Sequence, residues 1–436
     1  MRKKAYYLSG VLLFFLLTIF AQAQETILIK NGTIVPVVGN PIQNGSLLIQ
    51  KGKIVKIGTD IKAPSDAKII DVKGMYVYPG IVAPLTTVGV TGYPGAGSDT
   101  DEIGVSTPHM DPFDAINPED ECIEVTRIDG VTTVLTASGS RSVINGKAVI
   151  MNLEGDLAED LVIKRYAAQI FNIGAKTQGK YPSTLMGVNS LIRDKLNQAR
   201  FYAEKKKKSI EQAGEKKNEK REEPFKLDLE MEALIPVINK EVPVLFITSD
   251  EVTIRNALQI IKEYNLKGII HARAGILKFV DQLVARKIPV IWAGTTTIPQ
   301  RWEPFDLNYH TASVFAAKEV LFAFNESGRG PGSRNVRRQP VPASLSVAYG
   351  LSEEEAIKAL TINPAKILGI DDQVGSLEKG KTANMIICSK SLIQLSSKIH
   401  TVIINGKVIP RTSIQTRLRD KFEKIVKERI RKKKNK

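Results

Sequence analysis

Four histidines, a few clustered carboxylates and one glycine–arginine run are the residues whose side chains could do chemistry in this sequence. His109 lies in a loop with Asp99, Asp101, Glu102, Asp111 and Asp114, a set whose oxygens and single imidazole could hold Mg, Ca or Mn. Their spacing matches no defined metal site, and Asp-Pro loops of this kind are also ordinary turn chemistry. His271 closes an apolar, strand-like run. An imidazole there is either a ligand or, more simply, a satisfied residue at a strand end. Glu326 closes a second such run over 320–326 and is followed by Gly328, Gly330, Gly332 and Ser333, with Arg329, Arg334, Arg337 and Arg338 around them. Glycine backbone amides and guanidinium forks suit an anionic ligand, but this is no phosphate-loop signature, and a mobile surface loop is the simpler reading. His310 and His400 read as structural or surface residues. A serine-hydrolase elbow, a Walker loop, a dinucleotide fingerprint and a zinc-binding His-Glu-x-x-His do not occur.

The elements that must position these groups are read from the hydropathy period. Apolar runs at 130–136, 242–248, 268–271 and 289–293 read as strands, and 254–264 and 276–286 as amphipathic helices between them. The alternation predicts an α/β protein with a (β/α)8 TIM-like barrel over residues 80–369. Short alternating strands at both ends predict a small β-sandwich domain assembled from residues 24–79 and 370–410. Asn31-Gly32 reads as the tight turn of a hairpin between 26–30 and 33–38, with further hairpins over 46–58 and around Asn405-Gly406. Ser352 to Glu355 reads as a capping box in which Glu355 reaches back to the Ser352 amide. Asn363-Pro364 reads as an N-cap followed by proline at the first helical position. On this architecture the His109 loop follows the first barrel strand, at the face where such barrels carry their sites.

Composition narrows the classes. A chain of 436 residues, 43% hydrophobic, can bury a large core. Residues 1–23 read as a signal peptide, with Arg2, Lys3 and Lys4, an apolar core over 11–20 and a cleavage site at Ala21-Gln22-Ala23. The apolar core is too short to span a bilayer, so the protein is expected to be exported, to a bacterial periplasm. Cys122 and Cys388 read as two separate buried thiols, and their number excludes a cysteine-rich zinc site. The net charge is +16. Three of those charges belong to residues 2–4, and nine to 411–436, where twelve Lys/Arg face three acids; the body keeps only +4. The basicity therefore belongs to a tail and not to a nucleic-acid face. From residue 412 the tail places Ile414, Leu418, Phe422, Ile425, Val426 and Ile430 at helical spacing, which suits peripheral contact with a membrane surface. The plainer reading is a helix packed on its own barrel and ending in frayed lysines. Residues 195–225 read as an exposed charged helix and flexible excursion, with RNA or lipid binding the minority alternative.

Several stretches carry a family resemblance: the Pro79-Gly80 turn with its apolar strand over 77–89, Asp114-Ala115-Ile116-Asn117-Pro118-Glu119-Asp120, the runs 129–134 and 145–150, and above all 361–369 and 374–384. Together they resemble the imidazolonepropionase-like branch of the amidohydrolase superfamily. The resemblance implies hydrolysis of non-peptide C–N bonds in amides, lactams or cyclic amidines, with zinc or another divalent metal activating water and an aspartate moving the proton. In that family the first barrel strand ends in Asp-x-His-x-His; here Ala83, Leu85 and Thr87 stand in those places. Neither leucine nor a neutral threonine replaces an imidazole on zinc. The fifth strand, 245–249, has no histidine, and His271 on the sixth falls one residue early. Glu326 stands near the family's eighth-strand Asp, and Asn384 takes the Asp place of its closing Ala-Asp-Leu.

The resemblance so read implies an exported family member with a degenerate metal site, no metal ligand and no cofactor, with Glu326 and His271 the candidate catalytic residues. It would be non-catalytic, binding a small-molecule ligand in the barrel mouth, or pairing with an active homologue or with itself, and not binding nucleic acid. The alternatives are an active hydrolase with a metal-free site around Glu326 or a site relocated to the His109 loop, and a membrane-surface binder acting through the tail.

Overall fold

Apolar alternation in this chain is divided between two eight-stranded sheets. A computed structural model describes residues 25–92, 99–100, 104–215, 225–299, 303–326 and 330–434. The signal segment 1–23, Asp101, Glu102, Gly328, Arg329 and the part of the charged excursion at 216–224 lie outside the described residues.

The first strands are β1 (Ile27–Ile34), β2 (Ile42–Gln50), β3 (Lys53–Gly58), β4 (Lys68–Asp71) and β5 (Tyr76–Pro79). The central ones are β6 (Ile81–Thr86), β7 (Val131–Ala137), β8 (Ile144–Asn152), β9 (Val162–Asn172), β10 (Val244–Ile247), β11 (Gly268–Ala272), β12 (Val290–Trp292) and β13 (Phe322–Phe324). The last are β14 (Met385–Cys388), β15 (Ile399–Ile404) and β16 (Lys407–Ile409). One sheet runs β16-β15-β14-β5-β1-β2-β3, with β4 also on β1, so the small domain is built from both ends of the chain. The antiparallel pairing of β14 on β5 closes it. Its buried face gathers Ile27, Ile29, Ile34, Leu47, Ile49, Val77, Met385, Ile387 and Ile403, alternate residues of half-buried strands.

The expected hairpin at Asn31-Gly32 is not present. β1 runs straight through the dipeptide as a bulge, with Asn31 at φ 61° and the register against β2 shifting between Ile29 and Gly32. The bulge lets one edge of β1 pair in parallel first with β4 and then, after Asn31, with β5. Asn-Gly favours positive φ, and here a bulge used that preference in place of a turn. At Lys51-Gly52 and Asn405-Gly406 both residues of each pair have positive φ, as tight hairpins between twisted strands require.

The second sheet runs β13-β12-β11-β10-β9-β8-β7-β6, with β13 lying back against β6, a nearly closed TIM-like barrel. The strands alternate between an interior cluster and the surrounding helical layer. Leu245 and Ile247, Ile269, Ile291 and Ala323 point inward, while Val244 and Phe246, Ile270, Val290, Trp292, Phe322 and Phe324 point outward. The βα alternation is broken once: β8 is antiparallel to both β7 and β9, so the third barrel strand runs the opposite way.

The helices used below are α1 (Glu121–Arg127), α2 (Leu185–Glu215), α3 (Leu229–Ile238), α4 (Glu251–Tyr264), α5 (Val280–Ala285), α6 (Leu307–Ala317), α7 (Pro340–Ala348), α8 (Glu353–Leu360), α9 (Ile362–Leu368) and α10 (Ile414–Lys434). Of the excursion expected over 195–225, the part up to Glu215 belongs to α2, whose Ile192, Leu196 and Ala199 are buried and whose Lys206 pairs with Glu232 of α3 at 2.7 Å. At α8, Ser352 Oγ accepts the Glu355 amide at 3.2 Å, but the Glu355 carboxylate turns to Lys358 at 2.9 Å; only half of the expected capping box forms. α9 starts earlier than expected. Thr361 is its N-cap, and Asn363 and Pro364 sit in its first turn, where a missing N–H leaves no bond unmade.

The passage from small sheet to barrel is a packed junction. Gly80 follows β5, and a Cβ added there would come 2.1 Å from Thr132 Oγ1, so only glycine fits. Its amide donates to the Asn384 carbonyl at 2.9 Å. The buried Asn384 side chain donates to Asn152 Oδ1 at 2.8 Å and Thr133 Oγ1 at 3.2 Å, and accepts from the Asn405 amide at 2.8 Å.

Candidate functional site

Strand polarity brings the C-terminal ends of β6, β7 and β9–β13 and the start of β8 to one face, the barrel mouth. Alternation then decides which side chains enter it. His271 lies two residues after inward Ile269, and Asn325 two after inward Ala323. Their side chains meet there, His271 Nε2 to Asn325 Nδ2 at 3.4 Å, and both residues are buried. Thr248, at the end of β10, donates its amide and its hydroxyl to the His271 carbonyl, both at 2.9 Å, and so locks the two strand ends together.

Leu85 is 8% exposed and belongs to the apolar interior with Leu135, Ala137 and Ile247. Thr87 is half-buried just past β6, in a turn where its carbonyl accepts the Val90 amide at 3.3 Å. Ala83 faces the opposite way, into the layer of residues around the barrel.

Glu326 is one residue past the position that faces His271. Its carboxylate pairs with Arg338 at 2.8 Å and accepts from the Thr296 hydroxyl at 2.7 Å, and its amide donates to the buried Gln339 side chain at 3.1 Å. The carboxylate is thus neutralised and mostly buried, with its strong hydrogen bonds already made. Asn325 was missed by sequence reasoning, which took the acid as the informative residue. The inward period of β13, continued from Ala323, was the signal that could have found it.

Two of the carboxylates near His109 are spoken for. Asp111 caps the 3₁₀ turn Pro112–Ala115 and pairs with Arg165 at 3.1 Å and Lys147 at 3.3 Å, while Asp114 pairs with Arg165 at 3.4 Å. Among the described residues, no three His, Cys, Asp or Glu side chains come together in a way that could hold a metal ion. Two of the arginines after Glu326 are likewise committed within the protein, Arg338 to Glu326 and Arg337 to Gln415. His310 bonds the Tyr349 carbonyl through Nδ1 at 2.9 Å, and His400 is exposed on β15. Cys122 and Cys388 are separate, buried, free thiols.

The donor set of the mouth does not fit the divalent metal of the family. At the places where imidazoles and a carboxylate would converge stand Leu85, Thr87, Ile247, Thr248 and Asn325, with His271 the one imidazole facing inward among the described residues. Neutral amides and hydroxyls compensate little of a divalent charge. A separate cavity of about 640 Å³ opens at the opposite end of the barrel, at the starts of β10, β11 and β12, lined by Lys164, Lys267, Arg286, Lys287 and Lys366. Burial and the neighbouring Lys267 hold the Lys164 amine below its ordinary value.

The sequence pattern of the Amidohydrolase family matches residues 327–409. The structure superposes on that of an amidohydrolase from Thermotoga maritima with a TM-score of 0.79 and 29% identity, covering 88% of this chain and all of that one. The chain is similar to the amidohydrolase superfamily in its fold and in the sequence pattern of its C-terminal part. Among curated relatives, this amidohydrolase homologue is 24% identical to the amidohydrolase tasK of Hapsidospora irregularis over 400 residues, 83% of this chain. It is 33% identical to the imidazolonepropionase of Picrophilus torridus over 144 residues, a third of this chain. The matches span 39% and 35% of those two relatives. In this homologue, the stretch ending at Asn384 is a structural joint between barrel and small sheet and lies away from the mouth.

Proposed function

We propose that this protein is a non-catalytic amidohydrolase homologue, exported to the periplasm, that holds a small neutral ligand in its barrel mouth. The observation that carries the reading is Leu85. Where the family would present an imidazole to a metal, this chain extends its buried apolar interior to the rim. The Glu326 carboxylate is closed off by Arg338 and Thr296, which supports the same reading. His271 and Asn325 offer hydrogen-bonding groups, a pair suited to an amide, lactam or cyclic amidine that is bound and not turned over. Such a protein would serve an active homologue, or a second copy of itself, as a binding subunit.

The test is turnover by the purified full chain of amides, lactams and cyclic amidines, with zinc or manganese added. The reading expects rates at the buffer background for every class, together with a thermal shift from at least one compound. Metal-dependent turnover, or turnover abolished by Glu326→Gln, would establish an active hydrolase instead.

A further inference from the structure

The C-terminal helix leaves the body of the protein. Only the start of α10 packs: Ser413 is buried, the Ile414 amide donates to Glu124 Oε2 at 3.1 Å, and Arg417 pairs with Glu124 at 2.9 Å. Beyond Leu418 the expected packing on the barrel does not occur. Phe422, Val426 and Ile430 are 56%, 53% and 51% exposed, spaced four residues apart along one side of the helix. The ion pairs of this distal part, Arg419 with Asp420 and Lys427 with Glu423, are internal to it.

We infer that α10 is a docking helix for an anionic lipid surface. Two features must be covered together, a row of large apolar side chains and a strong positive charge. The helix carries ten Lys/Arg against Asp420, Glu423 and Glu428, a net +7. A second copy would cover the apolar row but set two +7 helices side by side. A nucleic acid would meet the cations and leave Phe422, Val426 and Ile430 in water. A bilayer with anionic headgroups does both: apolar residues enter the headgroup boundary, while the long Lys and Arg stems keep their charges at its surface. The helix lies on the membrane and does not cross it, since none of the described helices is long and apolar enough to span one. Because α10 starts on α1 and reaches Arg337 through Gln415, docking would hold the barrel at the surface through a short, folded base. This inference is independent of what the barrel mouth binds.

The test is flotation of the full chain with vesicles of phosphatidylcholine alone, or of phosphatidylcholine mixed with phosphatidylglycerol. The protein is expected to float only with the mixed vesicles. Replacing Phe422, Val426 and Ile430 together with serine should lower the bound fraction at least about tenfold. Replacing Lys432, Lys433 and Lys434 with glutamine should also lower it. All these residues are exposed or at the helix end, so an unchanged melting curve will confirm folding. Binding that survives the serine variant would overturn the inference in favour of a general polyanion site. A dimer that the serine variant dissociates, with no flotation of the parent chain, would overturn it in favour of a second copy.

Discussion

Asn325 Nδ2 stands 3.4 Å from His271 Nε2 inside the barrel mouth, while the next residue, Glu326, turns aside to Arg338. A single step past β13 therefore separates a neutral amide that faces the barrel mouth from an acid that braces the rim. If Glu326 is a brace, its loss should show in stability. Arg338→Ala leaves a mostly buried carboxylate with only the Thr296 hydroxyl and should cost about 1–3 kcal/mol in urea denaturation. Glu326→Gln keeps a hydrogen-bonding group in place and should cost less, with no change in the affinity of any ligand bound in the mouth.

Rebuilding the motif on the first barrel strand should not rebuild a metal centre. Leu85→His combined with Thr87→His restores two imidazoles, but Thr248 and Asn325 still stand at two of the other strand ends. We expect no stoichiometric zinc by elemental analysis. Placing a polar ring in the apolar interior should destabilise the fold by about 2–5 kcal/mol, read from the urea midpoint.

The joint at Asn384 should matter for folding and not for binding. Asn384→Ala removes two donated hydrogen bonds and the acceptor of the Asn405 amide at a buried position. A loss of about 1–3 kcal/mol is expected in thermal or urea unfolding, with ligand affinity in the mouth unchanged.

Much of this architecture was legible in the sequence, because hydropathy period and turn chemistry act locally. Strands over 130–136 and 268–271 and the turn at Asn405-Gly406 follow from such rules and are present in the structure. The Asn31-Gly32 hairpin failed because the same backbone preference serves a bulge, and what distinguishes them is the distant strands β4 and β5. The reversed β8 was invisible for a similar reason, since direction in a sheet is set by partners and not by period. The structure sets Leu85 in the apolar interior, and that Leu85 and Thr87 stand at the places the resemblance gives to imidazoles could be read from residue type alone. The commitment of Glu326 to Arg338 and of Asp111 to Arg165 and Lys147 could not, because it depends on side chains from separate parts of the chain.

Alkaline pH should weaken the fold through Cys388. Burial pushes its thiol from 9.0 up to about 12, so the folded protein keeps the proton at pH values where the unfolded chain releases it. The contribution is complete below about pH 9 and is lost as pH rises towards 12. Tyr166 and Tyr78 are raised by burial and act in the same direction. Cys388→Val should therefore flatten the decline of the melting temperature above pH 9, relative to the parent chain. Ellman's reagent should find neither thiol in the native protein and both after unfolding in guanidinium, as expected for two buried free cysteines.

The most direct measurement is the metal content of the full chain, purified without chelator and equilibrated with zinc and then manganese. A mouth built from Leu85, Thr87, Thr248 and Asn325 should bind less than about a tenth of an equivalent of either ion, with no rise in melting temperature. About one equivalent, lost on His271→Ala or Glu326→Ala, would contradict that account and place a working metal centre in this barrel.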